Sequence, residues 1–109
     1  MEKIVWSLKK FDELSAKEMY EILKLRSEVF VVEQNCVFLD MDDKDQFAHH
    51  LQGRIEGNLA AVVRILPPAL AYDEPSIGRV VSSPRFRRKG VGIALMNTAI
   101  EETVALYGA

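Results

Sequence analysis

The chain has 109 residues, enough for one domain built around one hydrophobic core. Apolar residues make up 49% and charged residues 28%, a balance that excludes wholesale disorder. Fourteen basic against sixteen acidic side chains leave a formal charge of −2, which speaks against nucleic-acid binding by field alone.

The longest apolar runs, such as Leu59 to Val63 and Val91 to Met96, fall far short of the roughly 20 residues that a membrane span requires. Met1 leads directly into Glu2, Lys3 and an amphipathic stretch, so no cleaved leader is expected. Cys36 has no second cysteine with which to form a disulfide or a multi-cysteine zinc site. A reducing, cytoplasmic setting is the default expectation, with no membrane partner.

Residues Lys3 to Lys9 alternate, with Ile4, Trp6 and Leu8 on one face, and predict a strand. Ser15-Ala-Lys-Glu18 is a capping box: a hydroxyl acceptor at the N-cap with a carboxylate three residues on. Helical spacing of Met19, Ile22, Leu23, Arg26, Val29 and Phe30 extends the helix from about Ala16 to about Val32. Glu33 to Phe47 lacks a period, holds Asp40, Asp42, Asp43 and Asp45, and reads as an ordered loop with one helical turn. Strands are expected at Ala48–Ile55, Leu59–Leu66 and Ser76–Ser83, with Glu56-Gly57-Asn58 turning the first into the second. Pro67-Pro68 ends the middle strand, and the loop to Pro75 is long enough to lie over a pocket. A basic loop, Pro84 to Lys89, leads into a helix from Gly90 whose stripe is Ile93, Met96, Ile100, Val104 and Tyr107. The order implies an α+β or mixed α/β fold, with one helix on each side of a largely antiparallel sheet.

The chemistry concentrates between Ile77 and Met96. A strand feeds a loop carrying Arg85, Arg87, Arg88 and Lys89, which enters a helix through Gly90-Val91-Gly92. Such a helix start offers unpartnered N–H groups and the positive end of the dipole, so the pattern suits a diphosphate. The plain alternative is that the glycines only relieve crowding while the basic residues solvate a loop. A P-loop is excluded because no Gly-x-x-x-x-Gly-Lys-Ser/Thr run occurs; a dinucleotide fingerprint is excluded because Leu95 fills its third glycine position.

Arg87-Arg-Lys-Gly-Val-Gly92 matches the pattern Arg/Gln-x-x-Gly-x-Gly/Ala and resembles the acyl-CoA pyrophosphate loop of the GCN5-related N-acetyltransferases, the GNAT superfamily. Trp6, Leu25-Arg-Ser-Glu-Val-Phe-Val-Val-Glu-Gln34, Asp42-Asp-Lys-Asp45 and His50-Leu51 narrow the resemblance to the ElaA-type subfamily. The resemblance implies that backbone groups of Val80, Val81 and Ser82 pair with a pantetheine arm. It implies that the amides of Arg88, Lys89, Gly90, Val91 and Gly92, with the Arg87 side chain, hold the pyrophosphate of acetyl-CoA. Arg88 stands where glycine is commonest. Acetyl would pass directly to a primary amine of a small molecule or peptide, with no acyl-enzyme and no metal.

Direct transfer still needs a base and oxyanion donors. Glu33 and His50 are the base candidates. Against them stand a structural pairing of Glu33 with Arg26 or Arg64, and a partly buried His50 bonded to backbone. Arg79 could orient an acidic group of the substrate or form a sheet-face ion pair. Asp40-x-Asp42 fits the first two calcium ligand positions, but Lys44 and Asp45 occupy positions that need a ligand and a glycine, so no metal is expected. These aspartates are expected as a solvated loop or an acidic rim that attracts an amine.

The resembled family continues past the motif helix with a strand, a helix and a final strand. The chain is therefore expected to be one GNAT domain, residues 1–109, incomplete at its C-terminus. An exposed edge beside Val80 to Ser83 would then invite a homodimer; were the chain complete at 109 residues, turnover would be weak or absent. An acyl-homoserine lactone synthase-like enzyme and a non-catalytic acyl-CoA-binding module are the competing functions.

Overall fold

The computed structural model describes residues 3–35, 40–87 and 90–108, so Cys36, Arg88 and Lys89 lie outside the described residues. Four strands form one antiparallel sheet in chain order: β1 (Ile4–Lys10), β2 (His49–Ile55), β3 (Asn58–Leu66) and β4 (Ser76–Ser82). The β2–β3 turn is Glu56-Gly57, both at positive φ (50° and 82°), the two-residue geometry whose twist matches a hairpin.

The alternation in β1 holds: Ile4, Trp6 and Leu8 all pack on one core cluster. Trp6 pairs with Gly53, and a Cβ built on Gly53 would stand 2.5 Å from the indole ring. Gly53→Ala is expected to cost about 1–3 kcal/mol through overpacking. Urea unfolding followed by the fluorescence of Trp6, the single tryptophan, measures it; an unchanged midpoint would contradict it.

Both faces of β3 are covered, which is why Ala60 to Leu66 is buried without a break. Helix α1 (Ala16–Arg26) packs Ile22 and Leu25, with Val29 just beyond its end, on Val62 and Val81. Helix α2 (Val91–Tyr107) packs Val91, Leu95 and Ala99, with Phe86, on Leu51, Ala61 and Val63 of the opposite face. The expected arrangement, a helix on each side of an antiparallel sheet, is what the structure shows.

Two helical expectations need correction. The capping box is present, with the Glu18 N–H donating to Ser15 Oγ at 3.0 Å and the Ser15 N–H to Glu18 Oε1 at 2.9 Å. However, α geometry stops at Arg26, and Ser27–Glu33 follows as a wider, π-type segment. Its Gln34 N–H reaches the Val29 carbonyl, five residues back, at 3.0 Å. Val29, Val31 and Val32 are β-branched and crowd an α-helix, and the wider turn relieves them. In α2 the stripe on the sheet is Val91, Leu95 and Ala99, while Ile93 is 73% and Ile100 50% exposed. The helix is apolar on two stripes, and the one through Val91, Leu95 and Ala99 is buried against the sheet.

Candidate functional site

The site is built along β4, which pairs only with β3 among the described residues. Val62 faces Val81 and Arg64 faces Gly78, so Arg79 and Val80 together stand opposite Val63. This bulge puts Arg79 at φ +50° and takes backbone groups out of the ladder in mid-strand. Nothing in the local sequence marks Arg79 for the left-handed region except its neighbour Gly78.

Past β4 the chain makes a tight turn. The Ser83 N–H donates to the Ala60 carbonyl at 2.7 Å, the Phe86 N–H to the Ser83 carbonyl at 2.9 Å, and buried Phe86 anchors the loop under α2. Gly90 then caps α2 at φ +72°, and the first helical bond runs from the Ala94 N–H to the Gly90 carbonyl at 3.1 Å. The amides of Val91, Gly92 and Ile93 are thus left without helical partners. A Cβ on Gly90 or Gly92 would meet nothing within 4 Å among the described residues. Relief of crowding therefore does not explain either glycine: Gly90 is required by its φ, and Gly92 leaves open space before the helix start.

Arg87 bridges this loop to the end of the first helical region. Its Nη1 and Nη2 donate to the two carboxylate oxygens of Glu33, each at 2.7 Å, and its Nε to the Ser82 carbonyl at 3.3 Å. Arg87 holds the Glu33 carboxyl below its usual range, mainly by this hydrogen bonding. Glu33 therefore pairs with Arg87, and not with Arg26 or Arg64.

Those two arginines are committed elsewhere. Arg26 Nε contacts Asp40 Oδ2 at 2.8 Å, and its Nη1 contacts Asp45 Oδ1 at 2.8 Å. Arg64 meets both Asp42 oxygens at 2.7 and 3.0 Å and Asp45 Oδ1 at 3.2 Å. Arg79 Nε contacts Asp40 Oδ1 at 2.9 Å and its Nη2 Asp42 Oδ2 at 3.3 Å. Asp40, Asp42 and Asp45 are thus neither a solvated loop nor an acidic rim. They turn inward because three arginines from α1, β3 and β4 offer compensating charge. Sequence reasoning named all six residues without joining them.

His50 is fully buried, with Nε2 2.9 Å from the Asp45 carbonyl. Burial is the main force pushing its pKa down, so the neutral ring donates from Nε2 and fixes the acidic loop to β2. Burial works to raise the Asp42 and Asp45 carboxyls, yet their arginines hold both below the usual range, Asp42 down to about 2. Carboxyls depressed in the fold stabilise it above the unfolded value and lose that contribution as pH falls toward 2. A histidine depressed in the fold adds a further loss as pH falls below its unfolded value near 6.5. Unfolding free energy should therefore decline steadily between about pH 7 and pH 3, as urea titrations across that range would show; a flat profile would contradict the buried cluster.

No helix among the described residues is long and apolar enough to cross a membrane. The sequence pattern of the Acetyltransferase (GNAT) family matches residues 10–109. A UPF0039 protein of Synechocystis is 41% identical over 106 residues, covering 96% of this chain and 69% of the relative. Protein ElaA of Escherichia coli is 38% identical over 100 residues, covering 90% of this chain and 65% of ElaA. The chain thus spans about two thirds of the length of these curated relatives. The crystal structure of an acyl-CoA N-acyltransferase from Pseudomonas aeruginosa superposes with a TM-score of 0.91 at 39% identity, over 97% of this chain and 74% of that one. The crystal structure of E. coli ElaA gives the same TM-score at 35% identity, over 97% and 73%. A strand that breaks its ladder and runs into a glycine-capped helix start, in a chain this close to ElaA, places the protein in the GNAT acetyltransferase family as an ElaA-like acyltransferase.

Proposed function

We propose that this protein moves an acetyl group from acetyl-CoA directly to a primary amine of a small molecule or peptide. The observation that carries the reading is the continuity of the β4 edge with the start of α2. Val80, Val81 and Ser82 offer backbone groups to a pantetheine arm, as an added strand would take them. The open amides beyond Gly90, with Arg87 and its basic neighbours Arg88 and Lys89, suit the pyrophosphate. On this reading the Val80 amide, at the bulge, is an oxyanion donor for the thioester carbonyl.

A cleft of about 300 Å³ lies beside the bulge, lined by Asp42, Arg64, Tyr72, Ile77, Gly78 and Arg79. It suits the acceptor. The amine nitrogen attacks the thioester carbonyl, the C–S bond breaks, and the thiolate leaves and takes a proton. The amine must first lose its ammonium proton, and Glu33 is the base candidate that solvent reaches. The fully buried His50 takes a positioning role under Asp45. No step calls for a metal, and the acetyl-CoA supply and reducing chemistry fit a cytoplasmic enzyme.

The test is free-thiol release from acetyl-CoA with a panel of amino acids, polyamines, peptides and aminoglycosides. Amine-dependent release with the acetylated product in the mass spectrum is the expected result. Tight acetyl-CoA binding without release for any amine would overturn catalysis in favour of a binding module. Product from acyl-carrier protein with S-adenosylmethionine, and none from acetyl-CoA, would favour a lactone synthase.

A further inference from the structure

Arg87 is the side chain that the donor's pyrophosphate would use, yet in the free protein its fork is filled. Glu33, 54 residues away in sequence, meets Nη1 and Nη2 end-on with two contacts of 2.7 Å. A guanidinium fork accepts a carboxylate and a phosphate in the same planar, bidentate manner. The two side chains are 39% and 41% exposed, so neither must be dragged from a core to part. An exposed pair of this kind adds little to folding. Glu33 ends the π-type segment, the place where the first helical region departs from regular geometry, and its neighbours Val32 and Gln34 are also exposed.

We propose that Glu33 is an internal stand-in for the donor's phosphate: its carboxylate and the pyrophosphate of acetyl-CoA compete for Arg87. This rests on the reading of the α2 start as the pyrophosphate site. In the free protein Arg87 is held by Glu33 against the Ser82 carbonyl, close to where the donor must arrive. When the donor binds, Arg87 turns to the phosphate and the Glu33 carboxylate is released. Loss of its partner returns Glu33 toward an ordinary carboxylate, freer to take a proton, at the moment when the donor is in place. Donor arrival and readiness of the acid-base group are coupled through one shared arginine.

The competition has a sign that a structural ion pair lacks. Apparent donor affinity scales with the fraction of molecules in which Arg87 is free of Glu33, so removing the competitor should tighten binding. Calorimetric titration with coenzyme A of the parent, Glu33→Gln, Arg87→Gln and the double variant tests it, with melting curves confirming that each is folded. Glu33→Gln is expected to bind about two- to fivefold more tightly. Arg87→Gln should bind about tenfold more weakly, and Glu33→Gln should have no effect in that background.

Unchanged or weaker binding by Glu33→Gln overturns the competition. An equal gain in the Arg87→Gln background also overturns it, since removal of a negative charge near an anion would then suffice. If none of the four forms binds coenzyme A, the pyrophosphate reading itself falls, and the proposal with it.

Discussion

Arg26→Ala is expected to cost about 3–5 kcal/mol and to leave much of the protein unfolded or insoluble. The side chain is 1% exposed, and its guanidinium contacts Asp40 and Asp45, both also buried. Removing it leaves two carboxylates in low dielectric with half their compensation, and water cannot replace it without opening the sheet from α1. Arg26→Lys should recover only part of the loss, because one ammonium cannot span two carboxylates as a planar fork does. Soluble yield and urea unfolding report both; an Arg26→Ala protein within about 1 kcal/mol of the parent would show that the cluster is not what joins α1 to the sheet. The effect reaches function as well. Asp42 and Arg79 belong to the same cluster and line the cleft beside the β4 bulge, so a loosened cluster should blur the acceptor site before the fold is lost.

Gly90→Val is expected to weaken acetyl-CoA binding by about 10- to 100-fold, with a much smaller effect on folding. At φ +72° a β-branched residue is strained, so the N-cap must rotate and carry the open amides with it. The valine methyls would also project into space that is empty around Gly90 among the described residues. Gly90→Ala should fall between valine and the parent, since it has the strain with less bulk. Calorimetry supplies the affinities and a melting curve the stability. Full affinity in the valine variant would remove the helix start from donor binding.

Several features of this fold were legible because they depend on residues close in sequence. Alternation in Ile4 to Leu8, the Ser15–Glu18 box, the Glu56-Gly57 turn and the strand-loop-helix run to Gly92 are local, and each appears where local chemistry demands it. What escaped depends on residues far apart. Arg26, Arg64 and Arg79 meet Asp40, Asp42 and Asp45 across separations of 14 to 39 residues, and no periodicity records such pairing. The carboxylates alone therefore resembled a solvated loop. The Glu33–Arg87 contact is of the same kind. Burial in α2 escapes for another reason: with apolar residues on two stripes, spacing admits two faces, and only the packing of Val91, Leu95 and Ala99 on the sheet decides between them. The bulge in β4 carries its unusual φ on an arginine and not on a glycine, so nothing in composition pointed to it.

The account turns on where the donor lies, and amide chemical shifts followed during titration with coenzyme A test this most directly. It predicts that the largest changes fall on Val80, Val81 and Ser82, along the edge of β4, and on Val91 and Gly92, at the start of α2 where the first amides lack helical partners. Changes confined to other strands, with these five amides unmoved at saturation, would contradict it.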